Sequence, residues 1–183
     1  MKFWKMNGAG NDFVIVNNMD ESVDPANYGI IAKTLCERHM SIGADGMMFV
    51  EKPQGEADYR MVFYNSDGSM GEMCGNGARC ICRFAYDMGI AGDVMTVQTD
   101  AGLVPGWRID ENQYRVKLNN PGVLDLHRKG DIAYVELGNP GVPHSVTEIP
   151  DLQWSFADGL REKAKILRFA PEFPKGVNVN FYS

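Results

Sequence analysis

The chemistry in this 183-residue chain is concentrated in one run: Asn65-Ser66-Asp67-Gly68-Ser69-Met70-Gly71-Glu72-Met73-Cys74-Gly75-Asn76-Gly77-Ala78-Arg79-Cys80. Cys74 stands directly before two glycines and a helix signal. Glycines there allow a tight turn and a close backbone approach by a ligand. The first N–H groups of a helix have no internal partner, and the helix dipole adds partial positive charge. Such an end holds a carboxylate and favours the thiolate of a nearby cysteine. One element could therefore activate a thiol and bind an anionic substrate beside it.

The residues alone leave other readings open. Cys74 as a small buried hydrophobe ahead of an ordinary helix fits equally well. A metal site is disfavoured, because Cys74, Cys80 and Cys82 lack paired Cys-x-x-Cys spacing. Cys36, Cys80 and Cys82 read as packing residues. A cysteine–histidine nucleophile would need His39, His127 or His144 as base, and no spacing selects one. Gly8-Ala9-Gly10-Asn11-Asp12 imitates part of a dinucleotide fingerprint, but it lies between strand patterns and does not open a helix.

The elements that must position these residues are mostly short strands. Lys2–Asn7 and Asp12–Asn17 read as strands joined by a turn. Asp24 and Pro25 start a helix whose apolar face is Tyr28, Ile31, Ala32, Leu35 and Cys36. Strands are predicted at Met47–Lys52 and Tyr59–Tyr64, and a second helix at Ala78–Asp87 with Gly89 as its C-cap. Further strands follow at Val94–Thr99, Leu103–Ile109, Tyr114–Leu118, Ile132–Leu137 and Val177–Tyr182, with a helix near Ser155–Lys165. Asn119-Asn120-Pro121-Gly122 is a cluster of breakers and the best boundary. The pattern is α+β with mostly antiparallel strands and no repeat; the βαβ rhythm of a doubly wound sheet is missing.

Composition sets the outer limits. A content of 44% hydrophobic and 23% charged residues supports a core and excludes general disorder. A net charge of −6 argues against a nucleic-acid partner. No apolar run approaches the ~20 residues of a membrane span. The first residues lack a signal-peptide pattern, so the four cysteines are expected to be reduced thiols of a cytoplasmic protein.

Several motifs then coincide. They are Phe3-Trp4-Lys5-Met6-Asn7-Gly8-Ala9-Gly10-Asn11-Asp12-Phe13, Gly43-Ala44-Asp45-Gly46, Asn65-Ser66-Asp67-Gly68-Ser69, Met73-Cys74-Gly75-Asn76-Gly77-Ala78-Arg79-Cys80 and Phe173-Pro174-Lys175-Gly176-Val177-Asn178. Together they resemble the diaminopimelate epimerase family. Proline racemases and hydroxyproline epimerases differ by carrying His in place of Asn76. The resemblance implies two pseudo-symmetric domains of mostly antiparallel strands around a central helix. Residues 1–118 would form the first domain, and residues 119–183 the start of an incomplete second.

It also implies an isomerase without pyridoxal phosphate, other cofactor or metal, acting on the small molecule diaminopimelate in lysine and peptidoglycan precursor biosynthesis. Two cysteines would exchange protons with opposite faces of the α-carbon, converting the LL form to the meso form. By resemblance, Cys74 is one of them. Gly75 and Asn76 match positions whose backbone N–H groups hold the α-carboxylate. Asn11, Asn65 and Asn178 match substrate-binding asparagines; turn or cap chemistry is the plainer reading of each. His144 and Asn139 are carried over from Gly138-Asn139-Pro140-Gly141-Val142-Pro143-His144, where added residues split the family's Asn-Pro-His and leave Asn139 or Val142 at the asparagine position.

The departures are specific. Family members are longer, with a second cysteine in a Cys-Gly-Ser/Thr-Gly motif and a substrate-binding Glu-Arg pair. Cys74 is the only cysteine here followed by glycine, and no Glu-Arg lies downstream of it. Gly46 stands where many members carry glutamine. The chain is therefore expected to be a fragment, inactive alone. It is expected to associate as a homodimer or with a chain supplying the C-terminal part. A racemase of the same fold acting on another amino acid, and a non-catalytic half-site, are the alternatives.

Overall fold

The computed structural model describes residues 1–138, 141–152 and 157–183. The chain divides into two compact units, Met1–Leu118 and Asn119–Ser183.

The first unit is built on one eight-stranded sheet. Its strands are β1 (Trp4–Gly8), β2 (Asn11–Asn17), β3 (Gly46–Glu51), β4 (Tyr59–Asn65), β5 (Met70–Gly71), β6 (Val94–Thr99), β7 (Gly102–Arg108) and β8 (Tyr114–Val116). They pair in the order β1-β2-β3-β4-β6-β7-β8, with β5 on β4. Two helices, α1 (Tyr28–Leu35) and α2 (Gly75–Asp87), serve two separate cores. Strand pleating sorts alternate residues between them. Phe13, Ile15, Met48, Val50, Met61 and Phe63 pack with Ile81, Phe84 and Ala85 of α2. Val14, Val16, Met47, Phe49 and Val62 pack with Tyr28 and Ala32 of α1. Strands buried on both faces read as unbroken apolar runs, which is why Phe13–Val16 and Met47–Val50 show no alternation in sequence.

Local signals act mostly as expected. Asp24 caps, but the element it opens is a short 3-10 turn, Pro25–Asn27, that feeds α1. The β1–β2 hairpin turns at Ala9 and Gly10, both with positive φ (51° and 96°), as a two-residue hairpin of this hand requires. Helix α2 begins at Gly75, not Ala78, so the Cys-Gly-Asn-Gly run forms its first turn. It ends in a Schellman motif: Gly89 has φ 66°, its N–H donates to the Tyr86 carbonyl, and Ile90 donates to that of Ala85.

The second unit is a four-stranded sheet ordered β12-β11-β10-β9, from β9 (Pro121–Lys129), β10 (Ile132–Gly138), β11 (Gly141–Glu148) and β12 (Asn178–Tyr182). A helix, α3 (Ala157–Arg168), lies between β11 and β12 in sequence. Tyr134, Ala170, Phe173 and Val177 form its small core. Strand β9 begins inside the Asn119–Gly122 breaker cluster, and neither β9 nor β11 is among the strands read from the sequence.

Most pairings are antiparallel, and the α+β class holds. The sheets are not doubly wound, but they do contain parallel crossovers that the sequence pattern did not reveal. Strands β2/β3, β4/β6 and β11/β12 are parallel, and each pair is bridged by a helix. Irregular stretches such as residues 18–27 and 36–45 interrupt the rhythm that would have shown these crossovers. Among the described residues, no helix is long and apolar enough to cross a membrane.

Candidate active site at the start of helix α2

Cys74 is the N-cap residue of α2, in extended conformation (φ −135°, ψ 116°). Its carbonyl accepts the first helical bond, from the Ala78 N–H at 2.7 Å. The N–H groups of Gly75, Asn76 and Gly77 therefore precede the helical ladder and have no partner within it. Cys74 is half-buried, and its side chain makes no capping bond. The other three thiols are buried. Burial pushes Cys36, Cys80 and Cys82 each up to about 11, so they are protonated packing groups at neutral pH.

Glycines let this helix start press against its surroundings. A Cβ on Gly77 would fall 1.9 Å from the Met48 side-chain tip, and one on Gly8 would fall 2.7 Å from both the Asn76 carbonyl oxygen and the Cys80 sulfur. The β1–β2 hairpin thus lies directly against the first turn of α2.

Polar contacts continue from that junction. Asn76 Nδ2 donates to Asn11 Oδ1 at 2.8 Å, and Asn11 Nδ2 donates to Asp45 Oδ2 at 3.1 Å. On its other side Asn76 accepts a hydrogen bond from Arg79. Asp45 also accepts from the Asp12 N–H (3.0 Å) and from Arg38 (3.0 Å). Arg38 reaches Asp12 as well, at 2.7 Å, and Lys5 pairs with Asp12 at 2.8 Å while donating to the Gly43 carbonyl. Burial tends to raise the Asp12 carboxyl, but hydrogen bonds from Lys5 and Arg38 outweigh it and bring it down to about 2.

Of the residues expected at a site, Cys74, Gly75, Asn76 and Asn11 come together here. Asn65 lies at the end of β4, where its amide donates to Ser69 Oγ at 3.1 Å, the turn chemistry typical of asparagine. The Ser66 N–H donates to the Asp45 carbonyl, which ties that turn to the Asp45 loop. In the second unit His144 and Asn178 are register partners across β11 and β12. Asn180 Nδ2 sits 3.3 Å from His144 Nδ1, and burial lowers the His144 pKa. Asn139 lies outside the described residues. Gly46 is tightly enclosed: a Cβ there would fall 2.5 Å from the Phe63 ring and 2.7 Å from the Tyr64 carbonyl oxygen.

Sequence reasoning missed Asp45, Arg38, Arg79, Lys5 and Asp12 as members of this cluster. The Gly-Ala-Asp-Gly run was visible, but nothing local says that Asp45 meets Asn11. A separate cavity of about 570 Å³ lies beside α2, lined by Trp4, Met6, Gly8, Cys80, Arg83 and Tyr114; Cys74, Gly75 and Asn76 do not line it.

Comparison with known proteins gives a consistent picture. The family model described as diaminopimelate epimerase matches residues 3–123. A diaminopimelate epimerase of Aquifex aeolicus is 37% identical over 194 residues, covering 99% of this chain and 68% of the relative. One from Caldanaerobacter subterraneus subsp. tengcongensis is 35% identical over 202 residues, covering 99% and 71%. Among solved structures, a PhzF-family phenazine biosynthesis protein of Bacillus anthracis superposes with a TM-score of 0.69 at 15% identity, covering 100% of this chain and 69% of that one. A probable proline racemase of Agrobacterium radiobacter K84 gives 0.66 at 15% identity, covering 99% and 66%. At such identities these structures establish the fold alone.

Proposed function

This chain belongs to the diaminopimelate epimerase family of amino-acid isomerases, and on that premise we propose that it contributes one half of a two-cysteine site converting LL-2,6-diaminopimelate to the meso form. The observation that carries this reading is the position of Cys74 at the N-cap of α2, beside the Gly75 and Asn76 N–H groups, which have no partner within the helix.

An α-proton next to a carboxylate is weakly acidic. Removing it requires a positioned base, and a positioned acid must return a proton on the opposite face. Donors must also hold the charge that develops on the carboxylate. In this reading the Cys74 thiolate breaks the C–H bond and becomes a thiol. The carbon's electron pair spreads into the α-carboxylate, held by the Gly75 and Asn76 N–H groups at the helix start. A second cysteine thiol then forms the new C–H bond from the far side and is left as thiolate. In the reverse direction Cys74 is the acid. No further cysteine of this sequence is followed by glycine, so the second thiol comes from outside these 183 residues, from a C-terminal segment or partner chain. Asn11 belongs to the same half-site, and Asn65, Asn178 and His144 are the further polar contacts to substrate. The thiol chemistry suits the reducing cytoplasm.

The test is proton NMR in D2O under reducing conditions with LL-diaminopimelate. The chain alone should leave the α-proton configuration unchanged. The chain complemented with a polypeptide carrying the Cys-Gly-Ser/Thr-Gly segment should produce the meso isomer with deuterium at the α-carbon. Cys74→Ala should abolish both exchange and inversion. Inversion by the 183-residue chain alone, or inversion that survives Cys74→Ala, refutes the reading.

A further inference from the structure

The contacts around Asn11 and Asn76 form a line with a charged group at each end: Asp45, Asn11, Asn76, Arg79. A carboxylate only accepts hydrogen bonds and a guanidinium only donates them, whereas an amide has one end of each kind. That chemistry fixes the whole line. Because Asp45 can only accept, Asn11 must turn its NH2 toward it, which leaves the Asn11 oxygen for Asn76. Asn76 must then present its NH2 to Asn11 and its oxygen to Arg79. Of the ways to turn the two amides, one alone satisfies all three contacts, and it is the arrangement observed.

Both ends are themselves anchored or adjacent to the helix start. Asp45 is held by the Asp12 N–H and by Arg38, which bridges the Asp12 and Asp45 carboxylates. Arg79 stands one turn after Asn76 on α2. The line uses one hydrogen of each amide NH2 and leaves the second on each nitrogen. The residues beside Cys74 consequently have spare N–H donors to add to the backbone N–H groups of Gly75 and Asn76.

We propose that Asp45 and Arg79 are positioning residues, which through the Asp45–Asn11–Asn76–Arg79 line lock both asparagine amides so that their free N–H groups serve a substrate carboxylate. This rests on the half-site reading above. Neither positioning residue touches the reacting atoms in this account; each acts through an asparagine. An end group that accepts or donates indifferently loses this control. Asn at position 45 has nearly the size of Asp but can present either an oxygen or an NH2, so it no longer dictates the direction of the line.

The experiment uses the full 183-residue chain, 15N-labelled, and follows the side-chain NH2 signals of Asn11 and Asn76. Asp45→Asn should move the Asn76 signal although Asp45 does not contact Asn76. Arg79→Gln should move the Asn11 signal although Arg79 does not contact Asn11. Asp45→Glu, which keeps the carboxylate, should restore most of the wild-type pattern. Backbone amide dispersion reports whether each variant is folded, and the Arg79 variant stands in if an Asp45 variant is not. LL-diaminopimelate is then titrated in. Binding should weaken about tenfold in Asp45→Asn, or about 1.4 kcal/mol, and stay unchanged in Gly92→Ala, where nothing lies within 4 Å of the added Cβ.

An effect confined to the contacting asparagine in both folded variants overturns the coupled line. Coupled signals with unchanged affinity overturn the positioning role. No response of wild-type signals to the ligand overturns the half-site reading and with it the positioning role, while the coupling in the free chain remains separately visible.

Discussion

Replacing Gly8 with alanine tests the contact that places the β1–β2 hairpin on the start of α2. The added Cβ would meet the Asn76 carbonyl oxygen and the Cys80 sulfur at 2.7 Å, where ordinary contact begins at 3.4 Å. Strand and helix must therefore separate by about 0.7 Å (3.4 − 2.7). One of the two obstacles is backbone and the other a buried thiol, so neither can swing aside as a side-chain tip can. Overpacking of this kind costs about 1–3 kcal/mol. Alanine recovers roughly 0.4–1 kcal/mol by reducing the freedom of the unfolded chain. The net expectation is a loss of about 1–2 kcal/mol, a urea midpoint lower by about 0.5–1 M for a typical m-value. Gly92→Ala is the control: nothing lies within 4 Å of its Cβ, and stability should be unchanged or slightly raised. Equilibrium urea unfolding followed by tryptophan fluorescence in a Trp154→Phe background, with Trp4 in β1 packed edge-on to Phe84 of α2 at 4.9 Å, reads the relevant unit. If Gly8→Ala is as stable as Gly92→Ala, the close approach does not hold the hairpin on α2 and the reasoning fails.

Two other predictions follow from burial and charge. In the native chain at pH 8, a thiol reagent such as DTNB should modify one cysteine quickly and three slowly, because Cys36, Cys80 and Cys82 are buried and Cys74 is not; rapid labelling that persists in Cys74→Ala would contradict this. Asp12 has a folded pKa of about 2, against 3.8 for the ordinary group, because Lys5 and Arg38 outweigh the effect of burial. Its contribution is fully present above about pH 4 and is lost as pH falls toward 2. Lys5→Ala should flatten the fall in urea midpoint between pH 4 and 2, and an unaltered acid profile would remove Asp12 as its source.

The two units differ in how openly their sequences declare them. The α1 face repeats at i, i+3 and i+4, and Tyr28, Ala32 and Cys36 from it are buried. The apolar runs Phe13–Val16 and Met47–Val50 are strands because only a strand sandwiched between two helices buries every residue of such a run. Strand β9 gives no such sign. Its residues are exposed on both faces apart from Asp125, it opens with Pro121-Gly122, and only pairing with β10 makes it a strand. Strand β11 carries Pro143, and β5 has two residues; both exist through their neighbours' hydrogen bonds. A β-propensity judged locally contains no term for that pairing.

The candidate site shows the same division. The sequence by itself marked the candidate thiol and its setting. A cysteine followed by Gly-Asn-Gly and a helix-forming run places a thiol at a helix N-terminus, since capping and chain geometry act over a few residues. Family motifs along the whole chain add the asparagines. Tertiary structure alone decided what those asparagines touch. Asn11 and Asn76 are 65 residues apart and Asn11 and Asp45 are 34 apart, and they meet because Gly8 lets β1 close on α2 and because β2 pairs in parallel with β3, carrying Asp45 to the hairpin. Local sequence encodes the conformation a segment prefers. Which distant carboxylate or guanidinium ends a line of hydrogen bonds depends on sheet order and register, and those are settled by burying the two faces of one sheet at once.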